Sequence, residues 1–179
     1  MQTFLSYESF EDSATILDSK RLGKQRIETL QIMMALTGNG GLRGGPTKHP
    51  AARMWHGHLA WLMAYQVAIC HEWIDLRGFR DTCLEKTRAM LKCDPEAYAQ
   101  WELIESGQSE LVPLPWFVGH PVTHFSHRAS LVTKAPKIYM PLFGPLLGGI
   151  EYFWTEEDAN RRSAELGSAL DQDFSSIPE

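Results

Sequence analysis

Three clusters of polar residues have the types and spacing that chemistry on a polyanion would use. The first is the run Leu17-Asp18-Ser19-Lys20-Arg21-Leu22-Gly23-Lys24-Gln25-Arg26-Ile27-Glu28. On a helix, Arg21, Gln25 and Glu28 stack at i, i+4 and i+7, in a stripe beside the apolar one rather than opposite it. A polar stripe at the margin of a core is where a cleft would be lined, and Glu28 is its candidate acid or base. Arg21 and Arg26 are the cations within reach of that carboxylate. The same pattern also fits a surface ion pair worth under ~1 kcal/mol, and both readings stand open from spacing alone.

The second cluster is His49-Pro50-Ala51-Ala52-Arg53-Met54-Trp55-His56-Gly57-His58. Arg53 and His56 fall one helical turn apart, and His49 is placed to cap the helix that Pro50 opens. His56 and His58 would point in different directions on a helix, whereas helical metal pairs need i, i+4, so no metal site is expected. In the third cluster, Thr123 to Leu131 followed by Lys134, the residues His127, Ser130 and Lys134 share a helical face. Ser126 is a candidate N-cap there. No Gly-x-Ser-x-Gly elbow, Walker loop or dinucleotide fingerprint occurs, which removes the usual support for hydrolase, NTPase and Rossmann readings.

Charge is distributed unevenly. Residues 18–53 hold seven Lys or Arg against Asp18 and Glu28, a net +5, inside a chain of net charge −5. Residues 94–111 hold five acids and no Lys or Arg, and residues 151–179 hold eight acids against Arg161 and Arg162. An acidic chain with one concentrated basic segment does not coat nucleic acid indiscriminately, yet it can present a positive surface to a polyanion. A solvated helix face explains a run this short equally well on charge alone.

The elements that must position these groups read as helices. Apolar residues recur at helical spacing from Ser9 to Leu36, with Ile16, Ile27, Leu30, Met34 and also Gly23 on one face. A second, aromatic helix is expected from Pro50 to Arg77-Gly78, a third from an Asp81 cap to Leu91, and a fourth from Asp94-Pro95 to Gly107. Pro113, Pro115 and Pro121 make residues 108–122 an irregular crossing segment. A helix over 123–133 follows, then a stretch that Pro136, Pro141 and Pro145 break, then a last helix from Thr155 to about Leu170. No stretch alternates at period two for long enough to build a sheet, no internal repeat occurs, and no linker divides the chain. The expectation is an all-α fold, one domain over residues 1–179 with an acidic C-terminal extension over about 148–179.

With 179 residues, 44% hydrophobic and 22% charged, the chain has the composition of a globular protein rather than a disordered or fibrous one. Cys70, Cys83 and Cys93 are odd in number and form no CxxC pair, and Met1-Gln2-Thr3-Phe4 lacks a basic, apolar leader. Reduced thiols in a cytoplasmic compartment are therefore expected, with no membrane span.

Taken in order, the three clusters carry a resemblance. Arg21 to Arg26 on the first helix, His49-Pro50 before a long aromatic helix ending Arg77-Gly78, and then His127-Arg128-Ala129-Ser130-Leu131 resemble the pyrimidine-dimer DNA glycosylases of the phage endonuclease V type. The opening Met-x-Thr-Phe-Leu, with Arg-Leu-Gly-Lys-Gln-Arg and Arg-Met-Trp, looks closer still to an uncharacterised bacterial and phage branch of that superfamily. The resemblance covers roughly residues 1–140 in patches. It implies an all-α fold that bends duplex DNA and excises a damaged pyrimidine without a cofactor. It further implies that an N-terminal α-amine attacks the sugar C1′ while a glutamate beside an arginine assists.

Carried onto this chain, the resemblance makes Met1, Arg21, Gln25, Glu28 and His127 the candidate catalytic residues. Lys20, Lys24, Arg26, Arg53, His56, Arg128, Ser130 and Lys134 become candidate DNA contacts. Two departures are visible. Where the family has Arg-Glu-Leu-Pro-Arg, Arg21 is followed by Leu22 and Gly23, and Glu28 comes two turns later. The family's nucleophile is a threonine amine bared by loss of the initiator, whereas the bulky Gln2 here favours retention of Met1. A non-catalytic DNA-binding protein on the same fold, and an enzyme acting on a nucleotide or modified base, are the alternative readings.

Overall fold

A computed structural model describes residues 2–38, 49–145 and 152–166. Among these residues the secondary structure is helical, without strands, as the periodicity predicts. The chain divides into two compact units, Met1–Pro115 and Trp116–Glu179. The division falls inside the proline-bearing segment 108–122.

In the first unit, α1 (Phe10–Thr15) and α2 (Ser19–Leu36) replace the single helix expected over 9–36. The break has a local cause. Asp18 takes an extended backbone and its carboxylate accepts the Lys20 and Arg21 amides, so it restarts the helix as an N-cap. The helix expected over 50–77 is likewise interrupted. The short α3 (Pro50–Met54) begins with His49 Nδ1 accepting the Ala51 amide at 3.2 Å. Gly57, at φ +82°, then turns the chain before α4 (Leu59–His71), which ends in a π-helical turn over Glu72–Leu76. His56 and His58 thus flank a turn and share no helix face with Arg53.

Helix α4 is apolar on all sides, with nine buried residues, and packs against α1, α2, α5 (Cys83–Leu91) and α6 (Pro95–Glu105). A helix with no polar face must be surrounded, which makes α4 the axis of this unit. Phe10, Trp55 and Tyr65 meet beside it with ring centroids 5.5 to 6.4 Å apart, each pair tilted or edge-on. Thr82 holds the N-cap position of α5, one place after the expected Asp81, whose Oδ2 accepts the Leu84 amide at 2.8 Å, and Asp94 caps α6 as the sequence predicts.

The second unit contains α7 (Pro121–Lys134), α8 (Pro136–Phe143) and α9 (Glu156–Leu166). Ser126 is not an N-cap. It lies buried within α7, its hydroxyl donating to the Thr123 carbonyl at 2.8 Å, and His120 holds the cap position. Pro136 and Pro141 do not abolish helix as expected. Pro136 sits at the first turn, where no amide is needed, and Pro141 is accommodated inside α8. The buried Tyr139, stacked on Phe143 at 6.1 Å, anchors that helix.

Candidate active site and nucleic-acid interface

The polar stripe on α2 meets the N-terminal segment of the chain. Glu28 Oε2 accepts the Gln2 backbone amide at 3.0 Å. Gln25 Nε2 donates to the Gln2 carbonyl at 2.9 Å, and more weakly to Glu28 Oε2 at 3.4 Å. Gln25 Oε1 accepts the Phe4 amide at 3.0 Å and the Tyr65 hydroxyl at 2.7 Å. The same hydroxyl lies 3.1 Å from both the amide and the carbonyl of Phe4. One residue along, Trp55 Nε1 donates to Thr3 Oγ1 at 2.9 Å.

These bonds hold residues 2–4 in place one at a time. Thr3, Phe4, Gln25, Trp55 and Tyr65 are all buried, so each polar atom lost there would carry a desolvation cost of about 1–3 kcal/mol. The consequence is positional. The segment's backbone is fixed against α2 with the Glu28 carboxylate at its outer end. Burial pushes the Tyr65 hydroxyl far above its ordinary range, so it serves here as a neutral hydrogen-bonding group. His49 stands within electrostatic reach of Glu28. Burial, the largest influence, lowers its pKa, while the Glu28 charge pulls it up.

The cations near this stripe have other partners. Arg21 pairs with Asp18, and Arg26 with Asp81. Burial acts to raise the Asp81 pKa, but the Leu84 and Cys83 amides and Arg26 outweigh it and hold the carboxyl below its usual range. Arg26 also lies 4.2 Å from the centroid of the Trp73 ring, so it is committed to the fold. Lys20 and Lys24 are exposed on the outer face of α2, and Arg53 is exposed on α3. Gln25 is brought to the site as a buried positioning group rather than as a surface residue of a cleft.

His56 faces elsewhere. It lines a cavity of about 250 Å³ beside Asp94, Glu96 and Gln100, between the end of α2 and the start of α6. Two carboxylates there make poor surroundings for a phosphate. Arg43 and Lys48, counted in the basic segment, lie outside the described residues, as does Met1.

His127, Arg128, Ser130 and Lys134 belong to the second unit. His127 is fully buried, its ring edge-on to Tyr152 at 5.1 Å. Burial, then the His124 and Lys134 charges, lower its pKa to about 3, so it is a neutral ring in the fold. Arg128 is buried on the same helix. Lys134 Nζ donates to Ser130 Oγ at 3.0 Å, and Ser130 Oγ is hydrogen-bonded to the Tyr152 hydroxyl.

Sequence spacing brings out Gln25 and Glu28 but not Tyr65 or His49 as members of the Glu28 network. Tyr65 reads as one more aromatic of the core helix, and only its hydroxyl among apolar neighbours hints at a polar task. His49 carries the helix-start signal His-Pro, which its capping bond already explains.

Among the described residues no helix is long and apolar enough to cross a membrane. The cysteines there are free thiols, Cys70 and Cys83 buried and Cys93 exposed. Residues 1–87 match the family model described as pyrimidine dimer DNA glycosylase. The N-terminal part of the chain, which holds α2, Glu28 and the aromatic core helix, is therefore similar to that family, as its motifs imply. The match ends before the His127–Leu131 cluster. Comparisons with curated proteins and with solved structures return no match.

Proposed function

We propose that this chain is a DNA glycosylase that works through a Schiff base, with the N-terminal α-amine as nucleophile and Glu28 as the assisting carboxylate. The observation that carries the reading is the 3.0 Å hydrogen bond from the Gln2 amide to Glu28 Oε2. The α-amine of Met1 is three covalent bonds from that amide nitrogen, hence within about 4 Å of it. A carboxylate held beside the start of the chain can do two things an aminolysis at C1′ requires. It can accept the proton that the amine nitrogen sheds once it has bonded to C1′, and it can stabilise positive charge on the sugar as the base departs.

An α-amine with a pKa near 8 is partly neutral at physiological pH, unlike a lysine. In the reaction the amine nitrogen bonds to C1′ as the bond from C1′ to the pyrimidine nitrogen breaks. The base leaves with the electron pair of that bond and takes up a proton. The C1′–O4′ bond then breaks with its electron pair on O4′, which takes up the remaining amine proton, and the nitrogen lone pair closes the C1′=N imine. Exposed Lys20, Lys24 and Arg53 supply cations for backbone phosphates. A damaged pyrimidine, already poorly stacked, costs least to extrude. Arg128 and Ser130 are buried on α7, so no phosphate contact is assigned to them.

The test is incubation with duplexes carrying a cyclobutane dimer or a panel of modified pyrimidines, followed by borohydride reduction. The wild-type chain should form a covalent adduct that maps to its first residue. Glu28→Gln should lower the trapping rate by about 10²-fold or more while leaving DNA affinity within a few-fold. No adduct and no strand nicking across the panel would overturn the reading.

A second reading, DNA binding without chemistry, is favoured by one observation: the position after Arg21 holds the buried Leu22, and Arg21 itself pairs with Asp18. It expects salt-sensitive binding that survives Glu28→Gln with no product in either protein. An enzyme acting on a free nucleotide would instead bind with little dependence on salt.

A further inference from the structure

On the other flank of α2 an aromatic stack stands outside the Glu28 network. Gly23 lets the Trp73 indole lie against the helix, since a Cβ at that position would come within 3.1 and 3.2 Å of Trp73 Cη2 and Cζ3. Trp73 Nε1 donates to the Arg80 carbonyl at 2.9 Å, and the Phe79 amide donates to the Trp73 carbonyl at 3.1 Å. This closes a turn through Gly78, whose φ is +71°. The turn lays the Phe79 ring on the indole, centroids 4.3 Å apart and planes 29° from parallel. Phe79 remains 43% exposed. A large aromatic ring is thus supported from behind and left open in front.

The charge around it is one-sided. Lys20 and Lys24 on α2, and Arg80 next to the ring, are exposed, and among the described residues none of the three forms an ion pair. Nearby carboxylates are already engaged: Asp81 with Arg26, Asp18 with Arg21, and Glu72 with Arg77 and Thr15. Asp75 is the exposed exception, 3.7 Å from His71. A rigid aromatic face next in sequence to Arg80, packed on the helix that carries the exposed Lys20 and Lys24, suits a flat base attached to phosphates, whereas an apolar protein partner would leave three charges to desolvate.

We propose that Phe79 is a stacking platform for an unpaired nucleobase, with Lys20, Lys24 and Arg80 holding the phosphates of the same strand. The inference rests on the DNA reading above and extends it to the strand beyond the reacting nucleotide. Gly23 and Glu28 are five residues apart on α2, so their Cα atoms lie about 9 Å apart by helix geometry. A strand lying over the Lys20–Lys24 face can therefore meet both flanks within a few base steps. Extrusion of a damaged pyrimidine unstacks its neighbours, and a preformed platform would receive one of the bases so released.

The experiment uses the full chain and single-stranded oligonucleotides containing 2-aminopurine, whose fluorescence is quenched by stacking. Wild type should quench the probe on binding. Phe79→Leu, which keeps apolar bulk but removes the π face, should weaken binding about five- to hundredfold and abolish quenching. Phe79→Trp should restore both, which separates a lost platform from a damaged fold. Phe79→Leu binding within twofold of wild type with quenching intact would overturn the proposal. Borohydride trapping on the same proteins separates the two claims. Adduct formation with binding indifferent to Phe79 overturns the platform alone. Phe79-dependent binding without any adduct overturns the Schiff-base reading alone. A wild-type chain that neither binds nor reacts overturns both.

Discussion

Gln25→Glu exchanges one atom type in the N-terminal network and leaves its shape unchanged, so its effect can be worked from the distances. Oε1 keeps its place, accepting from the Phe4 amide and the Tyr65 hydroxyl. The other position changes from a donor to a carboxylate oxygen, 2.9 Å from the Gln2 carbonyl and 3.4 Å from Glu28 Oε2. Two negative charges at that separation repel by about 5 kcal/mol at an effective dielectric of 20. Taking up a proton is cheaper. At pH 7 it costs about 3.7 kcal/mol for a carboxyl that titrates near 4.3 when unfolded, and this sets the ceiling on the penalty. Partial exposure of Glu28 lowers it further, to about 2–3 kcal/mol.

The introduced carboxyl would have its pKa raised in the folded state. Its protonated form, able to donate to the Gln2 carbonyl, is therefore tolerated below about pH 4.3, and stability is lost as pH rises. Urea unfolding of wild type and variant from pH 4.5 to 8 should show a gap near zero at the acid end that widens by up to ~1.4 kcal/mol per pH unit before levelling. Gln25→Leu, which removes the same bonds without adding charge, should show a gap that does not vary with pH. A Gln25→Glu penalty equally flat with pH would refute the geometry assigned to residues 2, 25 and 28.

Two further outcomes follow from burial and packing. Gly23→Ala should lower the unfolding free energy by up to ~2 kcal/mol, although alanine gains about 1 kcal/mol in helix propensity. The new methyl would meet a Trp73 ring that Phe79, Arg26 and the Arg80 carbonyl prevent from yielding. A stability raised by the full propensity gain would show that the indole yields freely. His127, held neutral with its pKa lowered to about 3, stabilises fully above pH 6.5 and loses that contribution as pH falls toward 3. Between pH 7 and 5 the loss is about 2 kcal/mol, and His127→Phe should remove it from the acid dependence of urea unfolding. An acid dependence unchanged in the variant would count against a neutral buried ring.

The all-α fold was legible because apolar spacing near 3.6 residues runs through most of the chain, and because Asp94 and Pro50 mark helix starts by mechanisms that need no tertiary contact. The break before α2 was hidden for the opposite reason. Ile16 and Leu17 continue the apolar pattern across it, so only the Asp18 side chain turning back onto Lys20 and Arg21 marks the new start. Gly57 is a readable stop that the aromatic run around Trp55 and Trp61 obscures. The stripe of Arg21, Gln25 and Glu28 follows from helix geometry. What Glu28 binds does not, because Gln2 is 26 residues away in sequence. Charge counting also leaves Arg26 as an open cation, yet its partner Asp81 is 55 residues downstream.

The departure from the Arg-Glu pattern has a structural reason in this chain. The residue after Arg21 is Leu22, fully buried, and the next is Gly23, pressed against Trp73. Both positions disfavour a carboxylate: at 22 it would be buried within the core, and at 23 its Cβ would press on the indole at 3.1 Å. Seven residues after Arg21 the helix has turned through nearly two whole revolutions, so Glu28 lies almost directly above Arg21 on the same stripe. From there it reaches the start of the chain that Gln25 and Tyr65 hold down. A carboxylate displaced along one helix face can meet an amine only if the segment bearing that amine is displaced with it. On the proposed Schiff-base reading, the bonds from Gln2, Thr3 and Phe4 to Glu28, Trp55, Gln25 and Tyr65 would supply that displacement.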